Sequence, residues 1–343
     1  MSLDWNKSQV SADKISAPTV SVVMSVRNGG SDLPRAVACI LDQTYRDFEF
    51  IIINNGSSDG SAAFLSTISD SRVRIYHQDD QGLAAALNRG ISLARGHYIA
   101  RQDHDDLALP DRIMKQVRFL DEHQDHGLVG TCAEIWVGDQ PTGRFHDHPS
   151  DDADLRFCLL FNNPFVHSSV MMRRSVLVQS GGYTTDPARQ PPEDYELWSR
   201  IARCCRVANL PERLTIYREV PGSMSRAGID PFKQKLVTIS SENIAYAVGE
   251  AEPAEVHRDI AAIIHGIPDM VTGRSTPAMM EQILSAAGRR IGVGEGTLQD
   301  WSRRLMHHYS SHAHAARHFW SAVRSVQSVL RTVRNSLVGT GRR

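Results

Sequence analysis

Three carboxylates within four positions form the segment of this sequence best suited to do chemistry. Asp103, Asp105 and Asp106 follow the short apolar stretch 98–101, and Pro110 comes shortly after them, where it can begin a helix. Carboxylates this close repel one another, so a partly buried cluster favours a compensating cation. Mg²⁺ or Mn²⁺ binds one or two carboxylates and completes its coordination with water and phosphate oxygens. The alternative is a solvated turn whose acids only cap the following helix.

The elements that must position this cluster alternate between strand and helix. β-branched runs, such as Thr19–Val26, are typical of strands buried on both faces of a sheet. The predicted strands are 19–26, 48–53, 73–76 and 98–101, and the helices between them include 34–43 and 83–94. This alternation predicts an α/β fold, with an open, mostly parallel sheet flanked by helices.

Polar clusters follow three of these strands, at residues 27–30, 54–59 and 103–106. Ligands bind at the carboxyl ends of the strands in open α/β sheets, so we expect the three clusters to meet in one site. Neither G-x-G-x-x-G nor G-x-x-x-x-G-K-[ST] follows the first strand. Their absence disfavours a dinucleotide-dependent oxidoreductase and a P-loop enzyme.

Composition sets wider bounds on the chain. Its 343 residues, 41 % hydrophobic and 22 % charged, suit a globular protein with one large domain and an appendage, or with two domains. The five cysteines form no C-x-x-C pair, so neither a zinc site nor a disulfide framework is predicted, which fits a reducing cytoplasm. We find no signal-peptide core and no apolar run long enough to span a membrane, and we expect a cytoplasmic protein.

Five segments taken together resemble the family 2 glycosyltransferases of the GT-A fold. They are Val22–Asn28, Ile51–Gly60, Gly82–Gly90, Ala94–Asp106 and Pro192–Trp198. The resemblance implies a Rossmann-like catalytic domain over residues 18–228 that transfers a sugar from a nucleotide-sugar donor. A flexible N-terminus (1–17) and a helical C-terminal region (229–343) would flank this domain.

The resemblance assigns nucleotide binding to the loops after the first two strands, where the matching residues are Ser25, Arg27, Asn28, Asn55 and Ser57. Two departures from the family are visible in these loops. Ser25-Val-Arg-Asn replaces the usual Pro-x-Tyr/Phe-Asn, and Asn54-Asn55 replaces the usual Asp-Asp. An Asn amide both donates and accepts, so Asn55 can pair with a uracil edge. The alternative for this pair is a simple turn beside Gly56.

Asp103-His104-Asp105 matches the D-x-D motif of the family. By the resemblance, Asp105 coordinates the Mn²⁺ or Mg²⁺ that bridges the donor diphosphate. Asp103 then contacts either the ribose of the donor or a water molecule bound to this metal. We expect Asp106 to be a turn or cap residue and His104 to face solvent.

The resemblance also places the general base in the pair Glu193 and Asp194, with an Asp in this role in the family. One base, with no second carboxylate on the other face of the sugar, implies a single displacement that inverts the anomeric carbon. The alternative is that these acids only stabilise a helix N-terminus, which is worth less than about 1 kcal/mol. Trp198 either stacks on an acceptor sugar or belongs to the core. His167 is expected near the acceptor cleft, as a structural histidine rather than a ligand.

The end of the catalytic domain departs from the family at Val220, where many relatives have a His that helps to bind metal or diphosphate. Arg218 or Arg226 can supply positive charge in its place. Farther on, helices are predicted at 232–248, 253–265, 277–287 and 298–337.

The last predicted helix is basic, and its apolar residues fall on the face opposite Arg317, Arg324 and Arg331. This pattern fits a helix on a membrane surface or a helix packed on its own domain. No nucleic-acid recognition motif accompanies the arginines.

The sequence therefore predicts an inverting, metal-dependent glycosyltransferase that uses a UDP-sugar. Its acceptor would be a glycan or a lipid-linked glycan in bacterial cell-surface polysaccharide synthesis, at the inner face of the membrane. One alternative is a catalytically impaired nucleotide-sugar-binding scaffold, which the changes at Asn54-Asn55 and Val220 favour. A nucleotidyltransferase is disfavoured, because Arg27-Asn28-Gly29-Gly30 is too short for a triphosphate loop.

Overall fold

A twisted β-sheet is the frame of the molecule, seen in a computed structural model that describes residues 17–219 and 229–311. Within these residues nine strands join one sheet. They are β1 Val20–Val26, β2 Phe48–Asn55, β3 Val73–Gln78, β4 Tyr98–Arg101, β5 Leu107–Ala108, β6 His126–Val137, β7 Gln140–His146, β8 Met171–Arg173 and β9 Arg206–Glu219. The four predicted strands are thus confirmed as β1 to β4, and the second and third end later than expected.

The strand order is β3-β2-β1-β4-β8-β6-β9-β5, and β7 lies beside β6. β1 pairs in parallel with β2 and with β4, and β2 pairs in parallel with β3. Beyond β4 the strands are antiparallel, apart from the long parallel pair β6 and β9. The carboxyl ends of β1, β2 and β4 therefore meet at one edge of the sheet, as predicted for a ligand site.

Helices cover both faces of the sheet, because its central strands are apolar on both sides. They are α1 Leu33–Leu41, α2 Ser61–Leu65, α3 Leu83–Leu93, α4 Arg112–Glu122, α5 Asp152–Cys158, α6 Arg174–Gln179 and α7 Glu193–Cys204. The core on one face contains Leu33 of α1 and Leu120 of α4. The core on the other face contains Leu87 of α3 and Ile201 of α7. Each such fully buried side chain contributes about 1.5–3 kcal/mol.

The C-terminal helices form a third core with the end of α5. They are α8 Ile229–Val248, α9 Glu255–Ile264, α10 Pro277–Ile291 and α11 over residues 295–311. Phe157 and Phe161 pack among Ile244, Ile260 and Leu284. The first three helices predicted from the Pro and Gly positions are confirmed at these places, and the fourth, predicted at 298–337, is confirmed as far as residue 311. None of the described helices is long and apolar enough to cross a membrane.

Several predicted features lie outside the described residues. They are the N-terminal 16 residues, Val220, Arg226 and the basic repeat of Arg317, Arg324 and Arg331. The proposed boundary between residues 228 and 229 also falls beside the segment 220–228, so the division into a catalytic domain and a C-terminal region stays a prediction.

Candidate active site

The loops that follow β1 and β2 are locked together by hydrogen bonds. Asn28 adopts a positive φ of 53°, its N–H donates to Ser57 Oγ at 3.1 Å, and its Oδ1 accepts from the N–H of Ser58 at 2.8 Å. The N–H of Gly29 donates to Ser61 Oγ at 2.9 Å. Asn28 and Ser57, both expected to bind nucleotide, therefore shape the wall of the site through bonds to each other.

Arg27 and Ser25 flank this locked loop in different environments. The Arg27 side chain is 60 % exposed and forms an ion pair with Asp80 at 2.9 Å. A pair this exposed is worth less than about 1 kcal/mol, so Arg27 can exchange Asp80 for a phosphate. Ser25 is buried near the end of β1, opposite Ile53 of β2.

Asn55 is a structural residue in this molecule. Its amide nitrogen donates to Asp80 Oδ1 at 3.1 Å and to the carbonyl of Gly82 at 3.3 Å. Its Oδ1 accepts from Gln78 Nε2 at 2.7 Å and from the N–H of Gln81 at 3.1 Å. The side chain is buried and its amide is fully hydrogen-bonded within the protein, so pairing of Asn55 with a uracil edge would require these bonds to be exchanged and stays a prediction.

Asp103 lies at the start of the acidic loop and is bound by Arg101, the last residue of β4. Arg101 Nη2 donates to Asp103 Oδ1 at 2.5 Å, and only 1 % of Arg101 is exposed. Burial opposes ionisation of Asp103, but the charge of Arg101 lowers the pKa of this carboxyl below its usual value. Asp103 is therefore an anion in the site.

Asp105 is half-buried and has no hydrogen bond or ion pair with another side chain among the residues described. Burial and then the neighbouring charge of Asp103 raise its pKa. A cation would relieve both effects. Over the same part of the chain no group of three or more His, Cys, Asp or Glu side chains can hold a metal by itself. One or two carboxylates fit the way Mg²⁺ and Mn²⁺ bind together with a diphosphate.

Asp106 is neither a turn nor a cap residue, which corrects the prediction. It is buried, accepts a hydrogen bond from Ser168 Oγ, and accepts the backbone N–H of Arg218 at 2.8 Å. Helix α4 begins after Asp111, whose side chain makes no capping bond. The alternative of a solvated capping turn is thus wrong, since the loop is fastened to strand β9.

His104 does not point fully into solvent. It is half-buried, and its ring lies over Gly29, where an added Cβ would be 3.3 Å from His104 Cδ2. The acidic loop therefore packs against the loop after β1. Within the acidic loop, Gln102 Nε2 donates to the carbonyl of Asp106 at 2.8 Å.

The second acidic pair lies at the first turn of α7, as predicted. Asp194 Oδ2 accepts from Asn163 Nδ2 at 2.8 Å, and Oδ1 accepts from the N–H of Tyr195 at 2.7 Å. Burial raises the pKa of Asp194 to about 6. Burial and the charge of Asp194 raise the pKa of Glu193 to about 7. Asp194 is half-buried while Glu193 is 5 % exposed, so Asp194 is the more accessible of the two proton acceptors.

The buried Arg101 links the two acidic groups. Besides Asp103, its guanidinium faces His167, with Nε donating to His167 Nε2 at 3.3 Å, and its charge offsets part of the rise in the pKa of Glu193. Tyr183 Oη lies 2.8 Å from the same His167 nitrogen. Burial, and then the charge of Arg101, lower the pKa of His167 to about 3, so this ring is neutral. The expectation of a structural histidine beside the acidic pair agrees with these contacts.

Arg101, Asn163, Tyr183 and Asn88 were not predicted as parts of the site. Asn88, on α3, holds the backbone of Tyr183 through two hydrogen bonds. Its Nδ2 donates to the Tyr183 carbonyl at 2.8 Å, and its Oδ1 accepts from the Tyr183 N–H at 2.9 Å. One signal was available in the sequence. A charged Arg at the end of the apolar strand 98–101 must have a buried partner.

Trp198 belongs to the core, which removes it from the acceptor side. Its exposure is 0 %, and its ring packs edge-on against Phe165, His167 and Tyr183 at centroid distances of 5.9–6.4 Å. A sugar cannot stack on a face that no solvent reaches. Trp198 instead supports the rings that contact Arg101.

Arg218 is not available to replace the missing histidine of the last segment. It is buried, and its guanidinium pairs with Asp32 at 2.5 Å and with Asp139 at 2.9 Å. Two carboxylates already neutralise its charge, so the suggestion that Arg218 binds diphosphate is corrected. Arg226 lies outside the described residues.

Comparisons with known proteins agree with this geometry. The family described as Glycosyl transferase family 2 matches residues 21–181. A Bacillus subtilis protein named as a glycosyltransferase, EpsE, is 33 % identical over 235 residues, which are 66 % of this chain and 80 % of that protein. The O-antigen biosynthesis glycosyltransferase WbnJ of Escherichia coli is 33 % identical over 205 residues, 58 % of this chain and 79 % of WbnJ.

Solved structures share the fold at low identity. Staphylococcus aureus TarS, solved with UDP-GlcNAc, superposes with a TM-score of 0.58 at 13 % identity, over 88 % of this chain and 92 % of that one. A Pyrobaculum calidifontis mannosyltransferase, solved with GDP-Man and Mn²⁺, gives 0.52 at 19 % identity, over 87 % and 88 %. Both confirm the predicted GT-A architecture. With the matching family and its relatives, they show that this chain is a glycosyltransferase of family 2.

Proposed function

We propose that this glycosyltransferase is metal-dependent and inverting, and that it takes its sugar from a UDP-sugar. One observation supports this most strongly. The buried guanidinium of Arg101 bonds Asp103 of the acidic loop, and its charge offsets part of the rise in the pKa of Glu193 at the start of α7. This link supports placing a metal–diphosphate site at the acidic loop near a proton acceptor on α7, which is what sugar transfer from a nucleotide requires.

Asp105 would hold the divalent metal, with Asp103 beside it. When bound, Mn²⁺ or Mg²⁺ neutralises the charge that develops on the leaving diphosphate. Arg101 keeps Asp103 ionised and fixes its orientation. Arg27, exposed at the rim, adds a cation for the nucleotide phosphates.

Asp194 would act as the general base. Asn163 and the N–H of Tyr195 orient its carboxylate, and a pKa near 6 leaves it ionised yet basic at neutral pH. It removes the proton from an acceptor hydroxyl while that oxygen bonds to the anomeric carbon. The bond from this carbon to the diphosphate oxygen breaks in the same step, and its electron pair leaves with the nucleoside diphosphate. One displacement of this kind inverts the anomeric centre.

The acceptor would be a glycan or lipid-linked glycan of a bacterial cell-surface polysaccharide. The similarity to WbnJ, named for O-antigen biosynthesis, supports this class of product. The choice of a UDP-sugar as donor is supported by the TarS complex with UDP-GlcNAc. The mannosyltransferase complex with GDP-Man is the reason to test donors with other nucleotides as well. Synthesis on a lipid carrier would take place at the cytoplasmic face of the membrane, with the chain bound peripherally.

A scaffold that binds nucleotide sugar without turnover is the second candidate, favoured by the fully bonded amide of Asn55. The deciding experiment measures thermal stabilisation and donor hydrolysis with UDP-, GDP- and other nucleotide sugars, in Mn²⁺, Mg²⁺ or EDTA. We expect one donor class to stabilise the wild type only with metal, and Asp105→Ala to lose this effect. Stabilisation without any turnover, with acceptor glycans present, would favour the scaffold. Stabilisation that is equal in EDTA would contradict the metal site.

A further inference from the structure

A cavity of about 180 Å³ lies between α7 and the C-terminal helices, away from the acidic site. Its walls come from four helices. Arg156 belongs to α5, Arg203 to α7, Tyr246 to α8 and Arg290 to α10. The volume corresponds to about six water molecules at their share of liquid volume, which is enough for a phosphoryl group.

Three arginines and no carboxylate line this cavity. Arg203 Nε is buried without a hydrogen-bond partner among the residues described, and Nη2 donates to Asn243 Oδ1 at 2.9 Å. Arg290 is exposed at the rim and has no ion pair with any described residue. Among the described residues the ion pair of Arg156 is with Asp152, at 3.7 Å. The cavity therefore holds positive charge with unused donors.

The nearest acids are committed to other arginines. Glu242 attracts Arg203, but its two oxygens accept from Arg189 at 2.7 and 2.9 Å. Asp152 is shared between Arg156 and Arg206, each at 3.7 Å. Among the described residues these acids are thus shared with arginines outside the cavity, and none of them accepts a hydrogen bond from Arg203 or Arg290.

The other polar side chains that line the cavity already donate hydrogen bonds within the protein, so the guanidinium groups are the donors available to a ligand. Ser199 Oγ donates to the carbonyl of Tyr195 at 2.8 Å, and Asn243 Nδ2 donates to the Leu159 carbonyl at 2.8 Å. The guanidinium of Arg203 lies 4.8 Å from the centre of the Tyr246 ring, which restrains its plane. Planar guanidinium groups match phosphoryl oxygens in geometry and in charge.

We propose that this cavity binds a phosphoryl group, either free or in a lipid headgroup. The nine-residue separation of Arg203 from Asp194 along α7 is about 14 Å at 1.5 Å per residue, so the cavity is distinct from the acidic pair that begins this helix. A phosphoryl group in this cavity would bridge α5, α7 and α10. It would join the helix that carries the proton acceptor to the C-terminal helices.

The test is titration of the full chain with inorganic phosphate by calorimetry, in EDTA so that the metal–diphosphate site stays unloaded. Wild type is compared with Arg290→Gln and with Arg156→Gln/Arg290→Gln. Arg289→Gln is the matched control, because this exposed neighbour on α10 carries the same charge outside the cavity. We expect phosphate affinity to fall about five- to tenfold in Arg290→Gln and further in the double variant. The control should stay within about twofold of wild type.

Binding to lipid vesicles distinguishes a phosphoryl group of a lipid headgroup from a free phosphate. Phosphatidylcholine vesicles with and without phosphatidic acid are sedimented with each variant. Binding that needs phosphatidic acid and weakens in Arg290→Gln but not in Arg289→Gln assigns the cavity to a lipid phosphate. Phosphate binding without vesicle binding assigns it to a soluble phosphate. The proposal is overturned if phosphate does not bind at about 20 mM, well above an ordinary weak dissociation constant, or if both single variants weaken binding equally. None of these results depends on glycosyl transfer.

Discussion

Arg101 Nη2 lies 2.5 Å from Asp103 Oδ1, and this ion pair ties the last residue of β4 to the acidic loop. The arginine side chain is 2 % exposed and that of the aspartate 25 %. A cation buried this deeply must be paired to be tolerated. Both Asp103 and Glu193 raise the pKa of Arg101, so this guanidinium couples the two acidic groups electrostatically.

Arg101→Gln should impair both stability and donor binding. Removing one partner of a buried pair leaves Asp103 uncompensated, and the expected loss in free energy of unfolding is about 3–5 kcal/mol. The pKa of Asp103 should rise, so metal-dependent donor binding should need a higher pH than in the wild type. Denaturant unfolding and donor titration at several pH values measure these effects. Arg95→Gln is the control, because Arg95 pairs with Glu49 away from the site. Equal donor binding in the two variants would contradict the role of Arg101.

The pH dependence of transfer should report the acidic pair. The base must be ionised, so kcat/KM should rise through the apparent pKa values near 6 and 7 and level off above them. Asn163→Leu removes a hydrogen bond that lowers the pKa of Asp194, so the midpoint should move upward. The exposed neighbour variant Asn162→Leu should leave it in place. Identical profiles for the two variants would mean that Asn163 does not tune the base.

Glu193→Gln should stabilise the protein at alkaline pH. Folding raises the pKa of Glu193 from 4.5 to about 7, so the folded state disfavours its ionised form. The resulting penalty is absent below pH 4.5, grows as the pH rises to 7, and is fully present above it. The neutral Gln avoids it, so the variant should gain about 1–2 kcal/mol at about pH 8 and nothing at about pH 4.5, by denaturant unfolding.

Glu196→Gln is the opposite case on the same helix, since Glu196 is ion-paired with Arg200 at 2.6 Å. It should lose stability in the same measurement at about pH 8, because the substitution removes this ion pair. A loss of the same size in Glu193→Gln under those conditions would mean that the fold stabilises Glu193 as an anion, contrary to the raised pKa of this carboxyl.

Asn55→Asp should destabilise the protein although it restores the usual residue of the family. The carboxylate cannot donate to Asp80 Oδ1 or to the Gly82 carbonyl, and it faces Asp80 directly. We expect a loss of about 2–3 kcal/mol in denaturant unfolding. Asn54→Asp is the comparison, because its partner is the His77 ring at 3.0 Å, which can be protonated. A larger loss in Asn54→Asp than in Asn55→Asp would contradict the hydrogen bonds described for Asn55.

The strands and the positions of both acidic groups could be predicted because they depend on local pattern. Runs such as Phe48–Ile53 are apolar on both faces, and Pro191-Pro192 precedes the acids that begin α7. The order of polar clusters along the chain then placed them at one edge of a parallel sheet. That edge is where the structure has Asn55 and Arg101.

The contacts between distant segments could not be predicted. Asp106 binds Ser168, 62 residues away, and the N–H of Arg218, 112 residues away. Asn55 was assigned to the nucleotide by the family resemblance, and Trp198 to either an acceptor sugar or the core; folding buries both against partners that no local spacing reveals. Residue type indicates which chemistry is possible, whereas burial and hydrogen bonding decide which residues remain free for it.

Asp194, as the general base, should remove the acceptor proton without binding the donor. The most direct measurement is the single-turnover rate of Asp194→Asn at saturating donor and acceptor, with donor affinity measured on the same sample. We predict a rate at least about a hundredfold below wild type, as expected for loss of a general base, and a donor affinity within about twofold. A rate within about tenfold of wild type would contradict this role, because Asn cannot accept the proton.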